Sequence, residues 1–170
     1  MNISLPNIHN KTIGFDSYPD AKGFAVVFTC NHCPYAIAYE LRLIALHNEF
    51  APQGVPVIAI NPNDAARYPL DSFEQMKIRA VQRGFPFEYL HDESQATAHA
   101  FNAMKTPHVF LLWKEDGELK KVYEGAIDDN YADANAVRER YLADAITAKL
   151  QGRDVAVRET IPVGCSVKWK

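Results

Sequence analysis

The 170-residue sequence predicts an α/β fold, with a central mixed β-sheet flanked by helices. Two observations carry this. Short, continuous apolar runs alternate with longer segments of helical periodicity, the order expected of parallel strands joined by crossover helices. After that alternation, two strand-like runs meet at Asp116-Gly117, a dipeptide suited to a two-residue hairpin turn, which adds an antiparallel edge. With 48% hydrophobic and 23% charged residues, the chain is expected to form one domain over residues 1–170, large enough for a real core.

Residues 1–23 read as an N-terminal extension with turns at Gly14, Pro19-Asp20 and Lys22-Gly23. Phe24 to Thr29 is an uninterrupted apolar run, as expected of a strand buried on both faces. Pro34 to Phe50 has helical spacing, with Ile37, Leu41, Ile44 and Leu46 as its apolar face and Pro34 suited to the first turn. Val55 to Ile60 predicts a second buried strand, ended by Asn61-Pro62-Asn63-Asp64. Pro69 to Gly84 reads as a loop and an inserted helix, capped by Asp71 or Ser72. Phe87 to Leu90 is a short strand, and Ser94 to Met104 a helix with Asp92 or Ser94 as cap. Val109–Trp113 and Leu119–Tyr123 form the hairpin, and Asp133 to Leu150 is a long helix that stops near Gly152.

Several function classes are disfavoured. The net charge of −3 is spread without basic runs, so no nucleic-acid footprint or polybasic membrane patch is expected. No apolar run reaches transmembrane length. The N-terminus lacks the charged and apolar regions of a signal peptide, so the expectation is cytoplasmic. Three cysteines are too few for a disulfide scaffold in a chain of this length, and point to catalysis or metal binding. There is no P-loop, dinucleotide fingerprint or nucleophile elbow, and no cofactor is implied.

The strongest motif is Thr29-Cys30-Asn31-His32-Cys33-Pro34-Tyr35. It sets two thiols three residues apart where a strand gives way to a helix, the arrangement needed for reversible dithiol–disulfide chemistry. The helix start offers unpaired N–H groups and a partial positive charge, which favour the reactive thiolate. His32, between the thiols, is a candidate to stabilise a thiolate at Cys30; the plain alternative is an exposed turn histidine. Thr106-Pro107 precedes a strand, and a cis bond there would expose the backbone of Thr106 to an extended substrate strand. Cys165 is an isolated thiol in the tail, either a resolving cysteine or a packing residue. Asp128-Asp129 reads as a solvated turn or the cap of the last helix. A structural zinc site would have to recruit Cys165 with His32 or His108, without a second close-spaced pair.

These residues resemble the thioredoxin-like superfamily in its AhpC/TSA (redoxin) branch. The resemblance runs through Phe28 to Tyr35, Ala59 to Asp64, Tyr68-Pro69 with Asp71-Ser72, Thr106-Pro107, Gly125 with Ile127-Asp128-Asp129, and the tail Gly164 to Lys170. It implies a thioredoxin-like fold with a cis Thr106-Pro107 facing the dithiol. It also implies an exposed attacking thiol at Cys30, a buried resolving thiol at Cys33, and a groove shaped by His32, Pro34, Lys105, Thr106 and Pro107. The implied activity is thiol–disulfide oxidoreduction on protein or small-molecule disulfides, with an electron donor such as thioredoxin or glutathione. Two alternatives stand beside it. One is a peroxidase with an antioxidant role, with Cys33 as the peroxidatic thiol and Cys30 or Cys165 resolving it. The other is a redox-sensing or copper-handling module built on Cys30, Cys33 and His32 or Cys165.

Where relatives often carry Cys before the Thr-Pro, this chain has Lys105, whose ammonium could help hold a thiolate; His108 stands in the place of an Asp, and Ala126 in that of an Arg. The strand before the dithiol also lacks the buried acid of thioredoxins, so proton transfer to Cys33 needs another group or water.

Overall fold

The computed structural model describes residues 2–170. Two short strands, β1 (Leu5–Pro6) and β2 (Thr12–Ile13), form a small hairpin in the N-terminal extension. β3 (Gly23–Phe28) then leads into α1 (Pro34–Phe50), followed by β4 (Val57–Asn61), α2 (Phe73–Arg83), β5 (Glu88–His91) and α3 (Ala96–Phe101). The two-residue β6 (Lys105–Thr106), the hairpin β7 (His108–Glu115) and β8 (Glu118–Gly125), α4 (Tyr141–Leu150) and β9 (Cys165–Ser166) complete the chain.

The main sheet has the order β5-β4-β3-β7-β8. β3, β4 and β5 are parallel; β7 is antiparallel to β3, and β8 to β7. Every residue of β3 is buried, because both faces of the sheet are covered. Ala25 and Val27 pack with Tyr39, Leu43 and Phe50 of α1, Met76 of α2 and Leu142 of α4. Phe24, Val26 and Phe28 face the other side, with Ile3, Leu5 and Ile13 of the extension and Phe101 of α3. The extension is thus a lid on one face of the sheet rather than an appendage.

The elements follow from local chemistry. Pro34 opens α1, where the missing N–H costs nothing. The Ser72 hydroxyl accepts from Gln75 N at 3.2 Å and caps α2. Asp116 and Gly117 both take positive φ (52° and 81°), which matches the strand twist of a tight hairpin.

Four expectations need correction. The buried face of α1 is Ala36, Tyr39, Glu40, Leu43, Leu46 and Phe50, while Leu41 is 68% exposed. Glu40 occupies that face because Arg79 binds both its oxygens at 2.6 Å. α3 is shorter than Ser94 to Met104, since Gln95 and Asn102 both adopt left-handed backbone (φ 66° and 57°) at its ends. The Asp92 carboxylate serves its first turn, accepting from Thr97 N at 3.3 Å and Ala98 N at 2.8 Å. The last helix begins at Tyr141, not Asp133. Asp133 caps only the short 3-10 turn Ala134–Ala136; beyond it the Asp129 carboxylate accepts from Arg138 N at 2.9 Å, holding that segment against the preceding loop. Asp128 is neither a solvated turn nor a helix cap: it is 7% exposed, bonded to Tyr39 Oη at 2.7 Å and Arg42 Nη1 at 2.8 Å.

Candidate active site

Cys30 and Cys33 lie just past the carboxyl end of β3, where open α/β sheets place their chemistry. Thr29 N donates to Ile60 O at 2.8 Å, so the chain is still tied to β4 as it enters the motif. Cys33 is the N-cap of α1. The Thr106–Pro107 bond is cis and abuts both thiols. Cys30 Sγ is 3.4 Å from the Thr106 hydroxyl, and Cys33 Sγ is 3.3 Å from the Thr106 carbonyl oxygen.

The third thiol arrives from the far end of the sequence. β9 pairs antiparallel with β6, setting Cys165 opposite Thr106 and Ser166 opposite Lys105. A disulfide joins Cys33 to Cys165, with Cα atoms 6.2 Å apart, and Cys30 is a free thiol. Cys30, Cys33 and Ala36 form a small buried cluster against Tyr35 and Cys165. This covering overturns the exposure expected at Cys30: it is 3% exposed and Cys33 0%.

Burial is the largest influence on the Cys30 thiol and raises its pKa; the Asp71 charge raises it further. The Thr106 hydroxyl and the backbone N–H groups of Cys33 and His32 act the other way, stabilising the thiolate.

Asp71 is the site residue whose position the sequence did not reveal. It is 0% exposed, in a short 3-10 turn (Pro69–Asp71) ahead of α2. Its Oδ1 accepts from Asn31 N at 2.8 Å; its Oδ2 accepts from Asn63 Nδ2 at 2.9 Å and from His32 Nδ1 at 2.5 Å. Asn31 is fixed in turn by Tyr89, whose hydroxyl donates to Asn31 Oδ1 at 2.7 Å. Asp71 is thus a buried acid beside Cys30, contributed by the turn ahead of α2 rather than by β3. The one signal in the sequence was Tyr68-Pro69 with Asp71-Ser72 among the residues of the resemblance; Asp71 itself was read there only as a possible helix cap. His32 also stacks on Tyr68, with centroids 5.6 Å apart, so it is a held group rather than a loose turn histidine.

Sulfur of Cys30, imidazole of His32 and carboxylate of Asp71 lie within 4.8 Å of one another. The His32–Asp71 contact is a direct hydrogen bond, and both carboxylate oxygens also accept other donors, so Asp71 fixes the imidazole beside Cys30.

The remaining predicted positions separate. Pro34 is exposed at the helix start, and Lys105 is half-buried in β6, its ammonium without a hydrogen bond or ion pair among the described residues. His108 is buried beneath the groove: its Nδ1 accepts from Met104 N at 3.1 Å and its Nε2 faces Glu124 Oε2 at 3.3 Å, outside hydrogen-bonding alignment. Ala126 is buried, and its N–H donates to the Thr160 hydroxyl at 2.9 Å.

The sequence profile of the AhpC/TSA family matches residues 1–144. The chain belongs to the AhpC/TSA family. Two solved structures match it along its whole length. An uncharacterized conserved protein from Geobacillus kaustophilus is 35% identical, covering 100% of this chain and 89% of its own, with a TM-score of 0.92. A hypothetical protein from Sinorhizobium meliloti 1021 is 32% identical, covering 100% and 92%, with a TM-score of 0.91. A putative thioredoxin from Neisseria meningitidis, 24% identical over 71% of this chain and 76% of its own at a TM-score of 0.58, shares the fold. The AhpC/TSA chain is accordingly thioredoxin-like in architecture. A comparison with curated proteins gives no match.

Proposed function

We propose that the protein is a thiol–disulfide oxidoreductase in which Cys30 and Cys33 cycle between dithiol and disulfide. One observation carries the reading: both sulfurs touch Thr106, one at its hydroxyl and one at its carbonyl, at 3.4 and 3.3 Å, beside the cis Pro107. The two cysteines thus share the Thr106 edge, with Cys30 the free thiol there.

The Cys30 thiolate attacks one substrate sulfur, forming a mixed disulfide and expelling the other as a thiolate, which takes a proton. The Cys33 thiolate then displaces the bound product and closes the Cys30–Cys33 disulfide. His32, oriented by its hydrogen bond to Asp71, accepts the Cys30 proton, and the Thr106 hydroxyl and the two backbone N–H groups steady the thiolate. The substrates are protein or small-molecule disulfides, and a dithiol donor or glutathione returns two electrons. The reading places the protein in a reducing compartment such as the cytoplasm. Peroxidase chemistry fits less well. It would require peroxide to reach the fully buried Cys33, and position 30 offers a thiol where peroxide activation calls for a hydroxyl.

The test is reduction of a model disulfide with Cys30→Ser and Cys33→Ser variants. Cys30→Ser should abolish the activity, and an unchanged rate would sink the mechanism. Cys33→Ser should accumulate mixed disulfides through Cys30, whose partners mass spectrometry identifies.

A further inference from the structure

The three thiols differ in access. Cys33 is 0% exposed and Cys30 3%, whereas Cys165 is half-buried. In the Cys33–Cys165 form Cys33 is closed to solvent and Cys30 nearly so. The Cys33–Cys165 disulfide, by contrast, has one half on a partly exposed residue.

Cys165 is held in place by contacts independent of that disulfide. Its strand pairs with β6, and the tail passes so close to the Thr106 carbonyl that a Cβ at Gly164 would overlap it. Past Cys165, Val167 N donates to Met104 O at 3.1 Å and Lys168 N to Asn63 Oδ1 at 2.9 Å. The Gln95 side chain accepts from Lys170 N at 3.1 Å and donates to Lys168 O at 2.9 Å, and Trp169 stacks on His99 at 4.2 Å. The fold thus lays an extended cysteine-bearing strand along the Thr106 edge and delivers its sulfur to Cys33.

We propose that Cys165 is a third redox thiol, the port through which a dithiol reductant reaches the buried Cys30/Cys33 pair; this rests on the thiol–disulfide reading above. After substrate turnover the chain holds a Cys30–Cys33 disulfide and a reduced Cys165. The Cys165 thiolate, its proton released to solvent, attacks Cys33 Sγ. The Cys33–Cys165 bond forms, the Cys30–Cys33 bond breaks, and the electron pair leaves on Cys30, which takes up a proton. The oxidation level of the protein is unchanged. A thiolate of the donor dithiol then attacks the accessible Cys165 sulfur and expels the Cys33 thiolate, which is protonated. The donor's second thiolate displaces Cys165, leaving the donor as a disulfide and three thiols on the chain. Gly164 is a positioning residue for the first of these steps.

The experiment uses full-length oxidised protein, reduction by dithiothreitol, and acid-quenched alkylation with mass-spectrometric mapping. Wild type should yield a Cys33–Cys165 disulfide with Cys30 free. Cys165→Ser should yield Cys30–Cys33 and be reduced at least about tenfold more slowly, because both of its sulfurs are shielded. Gly164→Ala keeps all three thiols but lifts the tail, and should give the same disulfide and the same slow reduction. Equal reduction rates in wild type and Cys165→Ser, a Cys30–Cys33 disulfide in oxidised wild type, or a Gly164→Ala protein that maps and reduces like wild type would each overturn the proposal. The Cys30/Cys33 reading is judged separately, by single-turnover reduction of a disulfide by pre-reduced wild type and Cys30→Ser. Its failure leaves the comparison of reduction rates standing.

Discussion

His32 and Asp71 are 39 residues apart in the chain and 2.5 Å apart in space, Nδ1 to Oδ2. The contact sets a half-buried imidazole on a fully buried carboxylate, directly beside the free thiol of Cys30.

Removing that carboxylate should be costly. Asp71→Ala leaves Asn31 N–H, the Asn63 amide and His32 without their acceptor. The expected loss is about 3 kcal/mol, the scale of a buried charged group's broken hydrogen bonds, measured by urea unfolding at constant m-value.

Two substitutions should move Cys30 in opposite directions. Burial and the Asp71 charge raise its pKa, while the Thr106 hydroxyl lowers it. Asp71→Asn should therefore shift the pH profile of Cys30 alkylation in the oxidised protein downward. Thr106→Val, which keeps shape and loses the hydroxyl, should shift it upward. Profiles moving the same way would contradict this account of the thiol.

Acid should destabilise the fold through its histidines. His47, His91 and His108 all have pKa values lowered, in each case chiefly by burial. The folded chain favours neutral imidazoles, so below the ordinary histidine pKa of about 6.5 the unfolded chain binds more protons. Stability is then held above that pH and lost as the pH falls through it. For His108 the facing Glu124 offsets part of the effect and Lys121 adds to it. Thermal unfolding from pH 7.5 to 5 reads the slope, and His108→Gln should flatten it.

Two glycines should respond differently to the same change. Gly84 (φ 64°) has nothing within 4 Å of an added Cβ, whereas at Gly125 (φ 141°) the Cβ would overlap the Thr160 hydroxyl and carbonyl. Gly84→Ala should cost about 1 kcal/mol of backbone strain. Gly125→Ala should cost about 3 kcal/mol, since it also drives Thr160 away from Tyr123 and Ala126. Denaturant midpoints of the two variants make the comparison.

What the sequence disclosed is what neighbouring residues determine. The apolar run of β3, the hairpin turn at Asp116-Gly117, the Ser72 cap and the strand-to-helix setting of the two thiols all depend on residues within a few positions. The face of α1 was misread because Ile37, Leu41 and Ile44 also obey helical spacing; Glu40 is buried only because Arg79 comes from another helix. Asp128 looked solvated for the same reason, its partners Tyr39 and Arg42 lying on α1. The start of α4 was misplaced because Asp129 acts on Arg138 across a loop. The disulfide partner of Cys33 is 132 residues away, beyond the reach of any local pattern. The setting of the two thiols was legible where it lay in one heptapeptide; Cys165 could be named only as one candidate among several, and Asp71 only as a helix cap.

The clasp of Gln95 and His99 on the last three residues has a kinetic consequence. These contacts lie beyond Cys165 and involve neither sulfur, so reduction of its disulfide breaks none of them directly. A reduced Cys165 is therefore never diluted into bulk solution; it stays at an effective concentration set by a taut strap of a few residues, in the millimolar range or above for a short tether. Partner thiols present at micromolar levels compete for Cys33 against a rival that is always in place. Loosening the far end of the strap, at a residue with no sulfur and no contact with the thiols, would decide how often they win.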